Sequence, residues 1–512
     1  LESNLKEWVQ RDSAVLGVIV LAALIGFLLR AAFVLQGHPA LNSDEMNYYH
    51  FLQNLGMGQG SEDYVGWRWS RYELRFWMFY IPFRWMGSDL RSLGFIACFW
   101  NVVVSLAWGW VFLRRFRDLR LVWPILFFIA IPAPCLSSWG TLLCEFRSSI
   151  LYGAILMGFA GKWGKSALGM AGFSLVAALG LFEDLFTVFF IVPVLLYERS
   201  LWMERVRARP WAIALLAALW LVITFRFVAG GTWGDQIRQH YLHAGFGGPG
   251  EWWRHLKILA LFPLYWMGQV PWGYLQNSSV GVFLNPPSGH WFQGFCSWAF
   301  VLLVFATFFL GLLTPKEEKR RERMLLLSPM LMFLLFFIFG SQVWDALSLR
   351  YLWFFQFVPA LVLGKAMEYG EKRAAWSKFV LASWMALDLA ALAPLLFHPY
   401  HSPARAICKE LLDRDARCGF ANYWASEMIR YESDDQLRFA PYDHSPISFA
   451  AYQGSLTAPD TYVVWVQGLD PSTGPQVLSE RIAALGYWPV SRTDYPEGWS
   501  LYQWKKRKAR SR

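Results

Sequence analysis

The sequence predicts an all-α polytopic membrane protein of about eleven transmembrane helices, followed by a small C-terminal α/β extracytoplasmic domain. Three observations lead there. The chain is 56% hydrophobic and only 16% charged, against roughly 25% charged residues in an ordinary soluble domain. It also carries several apolar runs near the roughly 20 residues that a helix needs to cross a hydrocarbon core of about 30 Å. Finally, its basic residues are bunched between those runs. That is the positive-inside pattern, and it accounts for the net charge of +10 without a nucleic-acid partner.

The first run, Ala14 to Leu35, is apolar apart from Arg30. It is longer than the apolar region of a secretory signal, and His38 and Ala40 make no small-x-small cleavage site, so it reads as a retained first span. Four clusters read as cytoplasmic: RRFRDLR (114–120), ERSLWMERVRARP (198–210), KEEKRRER (316–323) and EYGEKRAAWSK (368–378). Spans near 14–36, 92–113, 121–138, 146–161, 166–181, 185–197, 211–229, 297–313, 325–340, 351–367 and 379–397 keep all four clusters inside. The apolar segment 255–270 reads as re-entrant or interfacial, since another crossing there would move KEEKRRER outside.

The expected organisation is therefore a transmembrane module over 1–397, with large outer loops at 37–91 and 230–296, and an extracytoplasmic domain over 398–512 ending in a basic tail. In the first loop, WRWSRYELRFWMFYIPFRWM interleaves rings with arginines, as helices lying at headgroup depth do. In the C-terminal region TYVVWVQ (461–467) and SLYQW (500–504) are strand-like, and PQVLSERIAALGY (475–487) is helix-like. Cys98, Cys135, Cys144 and Cys296 lie in or beside spans as packing residues. Cys408 and Cys418 share the outer domain, where an oxidising compartment would join them in a disulfide.

The stretch NSDEMNYYHF (42–51) sets Asp44 and Glu45 just beyond the first span. A solvated loop is the plain reading of such a pair. Three features favour a chemical one. The acids lie close to the membrane surface, Tyr48, Tyr49, Phe51 and Leu52 follow as a short amphipathic face, and Arg68, Arg71, Arg75 and Arg84 come next among Trp and Tyr. Guanidinium groups in that setting suit a phosphate at a lipid headgroup.

An Asp-Glu pair in the first outer loop, then GMG, an aromatic-Arg stretch and a Pro before the next span, resembles the GT-C superfamily of membrane glycosyltransferases. The likeness is to bacterial RgtA/B/C/D-like members, related to protein mannosyltransferases and lipid A aminoarabinose transferases. LGLFEDLFTVFFIVPVLL (179–196), LRYLWFFQFVPALVLG (349–364) and CGFANYWASEMIRYESDDQLRFAP (418–441) add to it. The long loop 230–296 and the Trp-rich first loop depart from the subfamilies.

The resemblance implies sugar transfer from a polyprenyl-phosphate donor to a hydroxyl of a lipid, glycan or protein acceptor. It implies an active site on the extracytoplasmic face of a bacterial inner membrane, with Asp44 as catalytic base. Glu45 either orients Asp44 or the acceptor, or is solvated. Glu183 and Asp184, in the turn between two apolar runs, read as a polar hairpin or as a wall of the same cavity, the hairpin being slightly favoured. Arg147 and Arg350, at span ends, either meet the carrier phosphate or snorkel to the interface. His240, His243, His255 and His290 show no metal spacing, and a divalent ion, used by some members, stays open. The competing classes are a transporter or flippase of lipid-linked glycans and an inactive scaffold subunit. Against the former, no half-repeat is visible and the polar residues gather at the outer face. Against the latter stands Asp44 at the motif position.

Overall fold

The computed structural model describes residues 2–36, 49, 52–53, 74–116, 148–184, 187–208, 211, 253, scattered positions between 375 and 397, 404–434, 436–441, 459–466, 475–484, 486–495 and 499–506. The described membrane-facing part is helical: α1 (Glu2–Leu35), α2 (Leu74–Trp85), α3 (Leu90–Phe116), α4 (Ser148–Gly158), α5 (Ala167–Glu183), α6 (Val188–Tyr197) and α7 (Arg199–Ala208). Among the described residues one helix, over Leu90–Val111, is long and apolar enough to cross a membrane, and Gly17–Ala32 and α4, α5 and α6 are shorter apolar helices. The expected spans outside the described residues are 121–138, 211–229, 297–313, 325–340 and 351–367, apart from Trp211; 379–397 is described at scattered positions only.

Lipid is the solvent that fits the outward faces. On α1, Val18, Leu21, Leu24, Ile25, Leu28 and Leu35 are between 43% and 60% exposed, while Ile19, Ala22, Ala23, Ala31 and Val34 are buried. A helix apolar on both faces, one of them uncovered, belongs in a bilayer. The chain is an integral membrane protein built largely of helices. Inside, α1 and α3 approach closely because Gly94 has no side chain: a Cβ there would lie 2.9 Å from both Val34 methyls. Small residues at such crossings let backbones meet, which is how helices associate where no hydrophobic driving force separates lipid from protein.

Two tryptophans pin α3 to its neighbours. Pro82 lies inside α2 and has no N–H, so the carbonyl of Met78, four residues back, loses its helical donor. Trp100 Nε1 donates to that carbonyl at 2.9 Å. Further along, the fully buried Trp108 donates to Ile150 O of α4 at 3.0 Å and its ring leans on Phe190 of α6. Between α2 and α3 the chain reverses over Gly87 and Ser88, both at positive φ. Ser88 N returns to Phe83 O at 3.0 Å, and Asp89 caps α3 by accepting from Ser92 N at 2.7 Å.

The C-terminal part runs α8 (Ala404–Asp413), β1 (Cys418–Ala421), α9 (Tyr423–Glu432), β2 (Arg438–Pro441), β3 (Asp460–Val466), α10 (Pro475–Ala484), β4 (Tyr487–Asp494) and β5 (Trp499–Lys506). One five-stranded sheet has the order β2-β1-β3-β5-β4. β1 is parallel to β2 and β3, and β5 is antiparallel to β3 and β4. Tyr462, Val464 and Val466 of β3 join the core under α8 and α9, while Val463 joins a second core with Leu478 and Ile482 of α10. A strand covered on both faces reads as one apolar run, which is why TYVVWV does not alternate. The segment 418–441 is a β-α-β unit, with Asn422 capping α9 by accepting from Ala425 N at 2.8 Å.

Candidate functional site

Asp44, Glu45, Arg68, Arg71, Arg147 and Arg350 lie outside the described residues, and Arg75 is described only as the second residue of α2. Glu183 and Asp184 are placed in full. α5 ends at Glu183, and Asp184 N donates back to Gly180 O at 2.8 Å. Thr187 N then donates to Asp184 O at 3.0 Å, and α6 starts at Val188. Both carboxylates turn inward onto α4. Tyr152 OH donates to Glu183 Oε1 at 2.8 Å, and Ser149 Oγ donates to Asp184 Oδ2 at 2.7 Å. Ser149 is buried and stands two residues after Arg147 in the chain. The pair is therefore an acidic corner fixed between α4, α5 and α6.

The lengths of α5 and α6 bear on its depth. Their 17 and 10 residues rise about 26 and 15 Å at 1.5 Å per residue, both short of a core of about 30 Å. The corner sits at the start of α6, and the basic residues Arg199, Arg205 and Arg207 follow beyond its other end, in α7.

Tyr49, between α1 and α2, touches the C-terminal unit. Tyr49 lies edge-on to Phe83 of α2 (6.0 Å between centroids) and to Tyr431 of α9 (6.2 Å, 82° between planes). Gln53 Nε2 donates to Tyr49 OH at 2.5 Å and reaches Ser88 O at 3.4 Å. Burial pushes the Tyr49 phenol up to about 12, with Tyr431, Asp89 and Asp434 adding to the rise. The Tyr431 phenol is also raised, by burial first and then by Glu432 and Asp434, while Arg91 and Arg405 pull it down.

No protein-family model matches the chain, and neither does any curated protein. Among solved structures the chain is similar to ArnT from Cupriavidus metallidurans, in a crystal structure bound to undecaprenyl phosphate. The identity is 11%, the TM-score is 0.49, and the match covers 96% of this chain and 98% of that one.

The expected Cys408–Cys418 disulfide is not formed; both residues are thiols. Cys408 faces the helix layer instead of the strand that starts at Cys418: its Sγ–H donates to Ile429 O of α9 at 3.5 Å. Burial, helped by the nearby Glu432, pushes this thiol up to about 12, which withholds the thiolate that exchange requires. Among the described residues no group of three or more His, Cys, Asp or Glu side chains is gathered for a metal. His240, His243, His255 and His290 lie outside them.

Sequence reasoning missed Ser149, Tyr152 and Glu198. The first two are ordinary hydroxyl residues in an apolar run, and nothing local marks them as partners of a turn some 30 residues on. Glu198 looks like part of a solvated basic cluster, yet it is 1% exposed. Its carboxylate accepts from Gly161 N, from Gly164 N at 2.6 Å and from Trp202 Nε1 at 3.2 Å, clamping the α4–α5 connection to α6 and α7.

Proposed function

We propose that this protein is a GT-C-type membrane glycosyltransferase that moves a sugar from a polyprenyl-phosphate donor to a hydroxyl acceptor at the outer face. The observation that supports the reading is an acidic corner at the end of an apolar helix, with a second acid pair following another apolar helix in the sequence. Asp44 and Glu45 follow α1 by sequence, and Glu183 and Asp184 close α5 against Ser149 and Tyr152. The motif resemblance supplies the donor class.

The chemistry follows from the substrate. A sugar phosphate already has a good leaving group, so no strong acid is required on that side. The acceptor O–H must lose its proton as its oxygen attacks the anomeric carbon. In this reading Asp44 takes the proton, the new C–O bond forms as the bond to phosphate breaks, and polyprenyl phosphate departs with inversion. Glu45 orients Asp44 or the acceptor. Glu183 and Asp184 form a wall of the same cavity. Arg68, Arg71, Arg75, Arg147 and Arg350 are the candidate partners of the phosphate, which at low water content needs charge-assisted hydrogen bonds. The test is transfer in vesicles holding the purified protein and a polyprenyl-phosphate sugar with radiolabel in the sugar. Label moving to an acceptor fraction supports the reading. Label moving across the bilayer while still attached to its carrier would make the protein a flippase.

A further inference from the structure

The C-terminal unit leaves two large apolar side chains in the open at one edge of its sheet. Trp488 and Val490 of β4 are 46% and 43% exposed. Among the described residues β4 pairs with β5 alone and closes that side of the sheet. Trp488 stands directly across from Lys505. The register slips between Pro489 and Ser491, which leaves Val490 as a bulged residue with no counterpart on β5.

The same edge is basic. Lys505 and Lys506 are exposed at the end of β5, and the Lys506 ammonium lies over the Tyr487 ring, 5.7 Å from its centroid. Asp460 of β3 is across from Lys505 on the other side, and Arg492 is paired with Asp494 at 2.7 Å. Beyond Glu497 the chain has six basic residues and no acidic one, all within KKRKARSR. The transfer chemistry gives this run no task.

The backbone narrows what covers the edge. A further strand needs a ladder of N–H and C=O groups, but Pro489 has no N–H and the bulge breaks the spacing beside it. A bilayer surface asks for no ladder. Tryptophan collects at headgroup depth, where its ring is shielded and its N–H stays wet. Lysines beside it meet anionic headgroups. Lipid is also always at hand, since Tyr431 of α9 rests on Tyr49, which leans on Phe83 of α2.

We propose that the β4–β5 edge is a membrane-surface site: Trp488 and Val490 enter the headgroup layer, and Lys505 and Lys506 meet anionic lipid there. This goes beyond the glycosyl-transfer reading and holds whichever reaction the protein performs.

The experiment uses the full chain in nanodiscs of phosphatidylcholine alone, and of phosphatidylcholine and phosphatidylglycerol in equal parts. Each carries a trace of lipid with a photoactivatable headgroup, whose adducts are mapped by mass analysis while hydrogen exchange is read over β4 and β5. In the anionic nanodiscs adducts should fall on these strands, and exchange over 487–494 should be about tenfold slower than in phosphatidylcholine. Lys505→Gln with Lys506→Gln should remove most of that difference, and so should about 1 M salt, where the screening length is about 3 Å. Trp488→Ser with Val490→Ser should lower the adducts about fivefold or more in both lipids. If a variant does not fold, the wild-type comparison of lipids and salt decides alone. An absence of adducts on β4 and β5 in the anionic nanodiscs overturns the proposal. Adducts and exchange that ignore lipid charge, salt and the lysine variants overturn the role of the lysines. Protection of β4 that persists in detergent and grows with protein concentration overturns it in favour of a second copy of the chain.

Discussion

Tyr152 donates its phenol to Glu183 at 2.8 Å, joining the middle of α4 to the last residue of α5. Its Cβ lies against Gly180, where an added Cβ would come 3.1 Å from it. With Ser149 on Asp184, the bond makes a corner of two carboxylates and two hydroxyls out of what would otherwise be a loose connection.

Removing that phenol should be costly. Tyr152→Phe keeps the ring packed and takes away one hydrogen bond to a charged acceptor, worth about 1.5–3 kcal/mol. Thermal unfolding in detergent should show a loss of that size. A variant as stable as the wild type would mean that water replaces the phenol, and the corner would then be wet.

Glu198 should matter for folding and not for transfer. Glu198→Ala strands the N–H groups of Gly161 and Gly164 and the indole of Trp202. Each stranded donor costs about 1–3 kcal/mol. Limited proteolysis should open the chain near 159–165 in this variant. Resistance there equal to that of the wild type would show that the clamp is dispensable.

The pH dependence has a definite sign. The Cys408 thiol is raised from an ordinary 9.0 to about 12, so between those values the folded chain keeps a proton that the unfolded chain releases. The stability from this group is full below pH 9 and falls as pH rises toward 12. The Tyr49 phenol, raised from 10.0 to about 12, adds a decline above pH 10. Unfolding measured from pH 8 to 11 should weaken with rising pH, and Cys408→Ser should flatten the part that begins near 9. Alkylation at pH 8 should reach Cys408 only after unfolding, and non-reducing mass analysis should find no link to Cys418.

How far the sequence shows this structure depends on what each element is buried against. The apolar run 92–113 lies within α3, and the run from Ala14 lies within α1, whose helix extends back over the polar ESNLKEWVQRD. Length against the bilayer is a strong signal; polar helix before it is a weak one. The strand-like 461–467 and 500–504 correspond to β3 and β5, and the helix-like 475–487 to α10, which ends at Ala484, while Tyr487 opens β4. β1 and β2 are four residues each, too short to show a period, and β4 is an exposed edge with an irregular register at Pro489. At the candidate site, the acids of 183–184 were visible as charges between apolar runs. Their hydroxyl partners were not, because a serine and a tyrosine in an apolar run carry no mark of what they face. The Tyr49–Tyr431 contact joins residues hundreds of positions apart, and no local pattern encodes it.

The last prediction separates the two acid pairs. Asp44→Asn keeps the side chain's shape and removes its basicity. If Asp44 takes the acceptor proton, kcat should fall by at least about 10²-fold, the lower end of what a general base contributes. Donor affinity and thermal unfolding should stay near wild type, since no bond to the carrier phosphate is lost. Glu183→Gln and Asp184→Asn remove charge from a corner already held by Tyr152 and Ser149, so they should act on acceptor or donor KM more than on kcat. Glu45→Gln should fall between, with a smaller loss in kcat if it orients its neighbour and none if it is solvated. Measuring kcat for all four variants under saturating donor ranks them. A loss in Asp184→Asn or Glu183→Gln deeper than that in Asp44→Asn would move the base from the first loop to the α5–α6 corner. That result would keep the reaction class and change which carboxylate performs it.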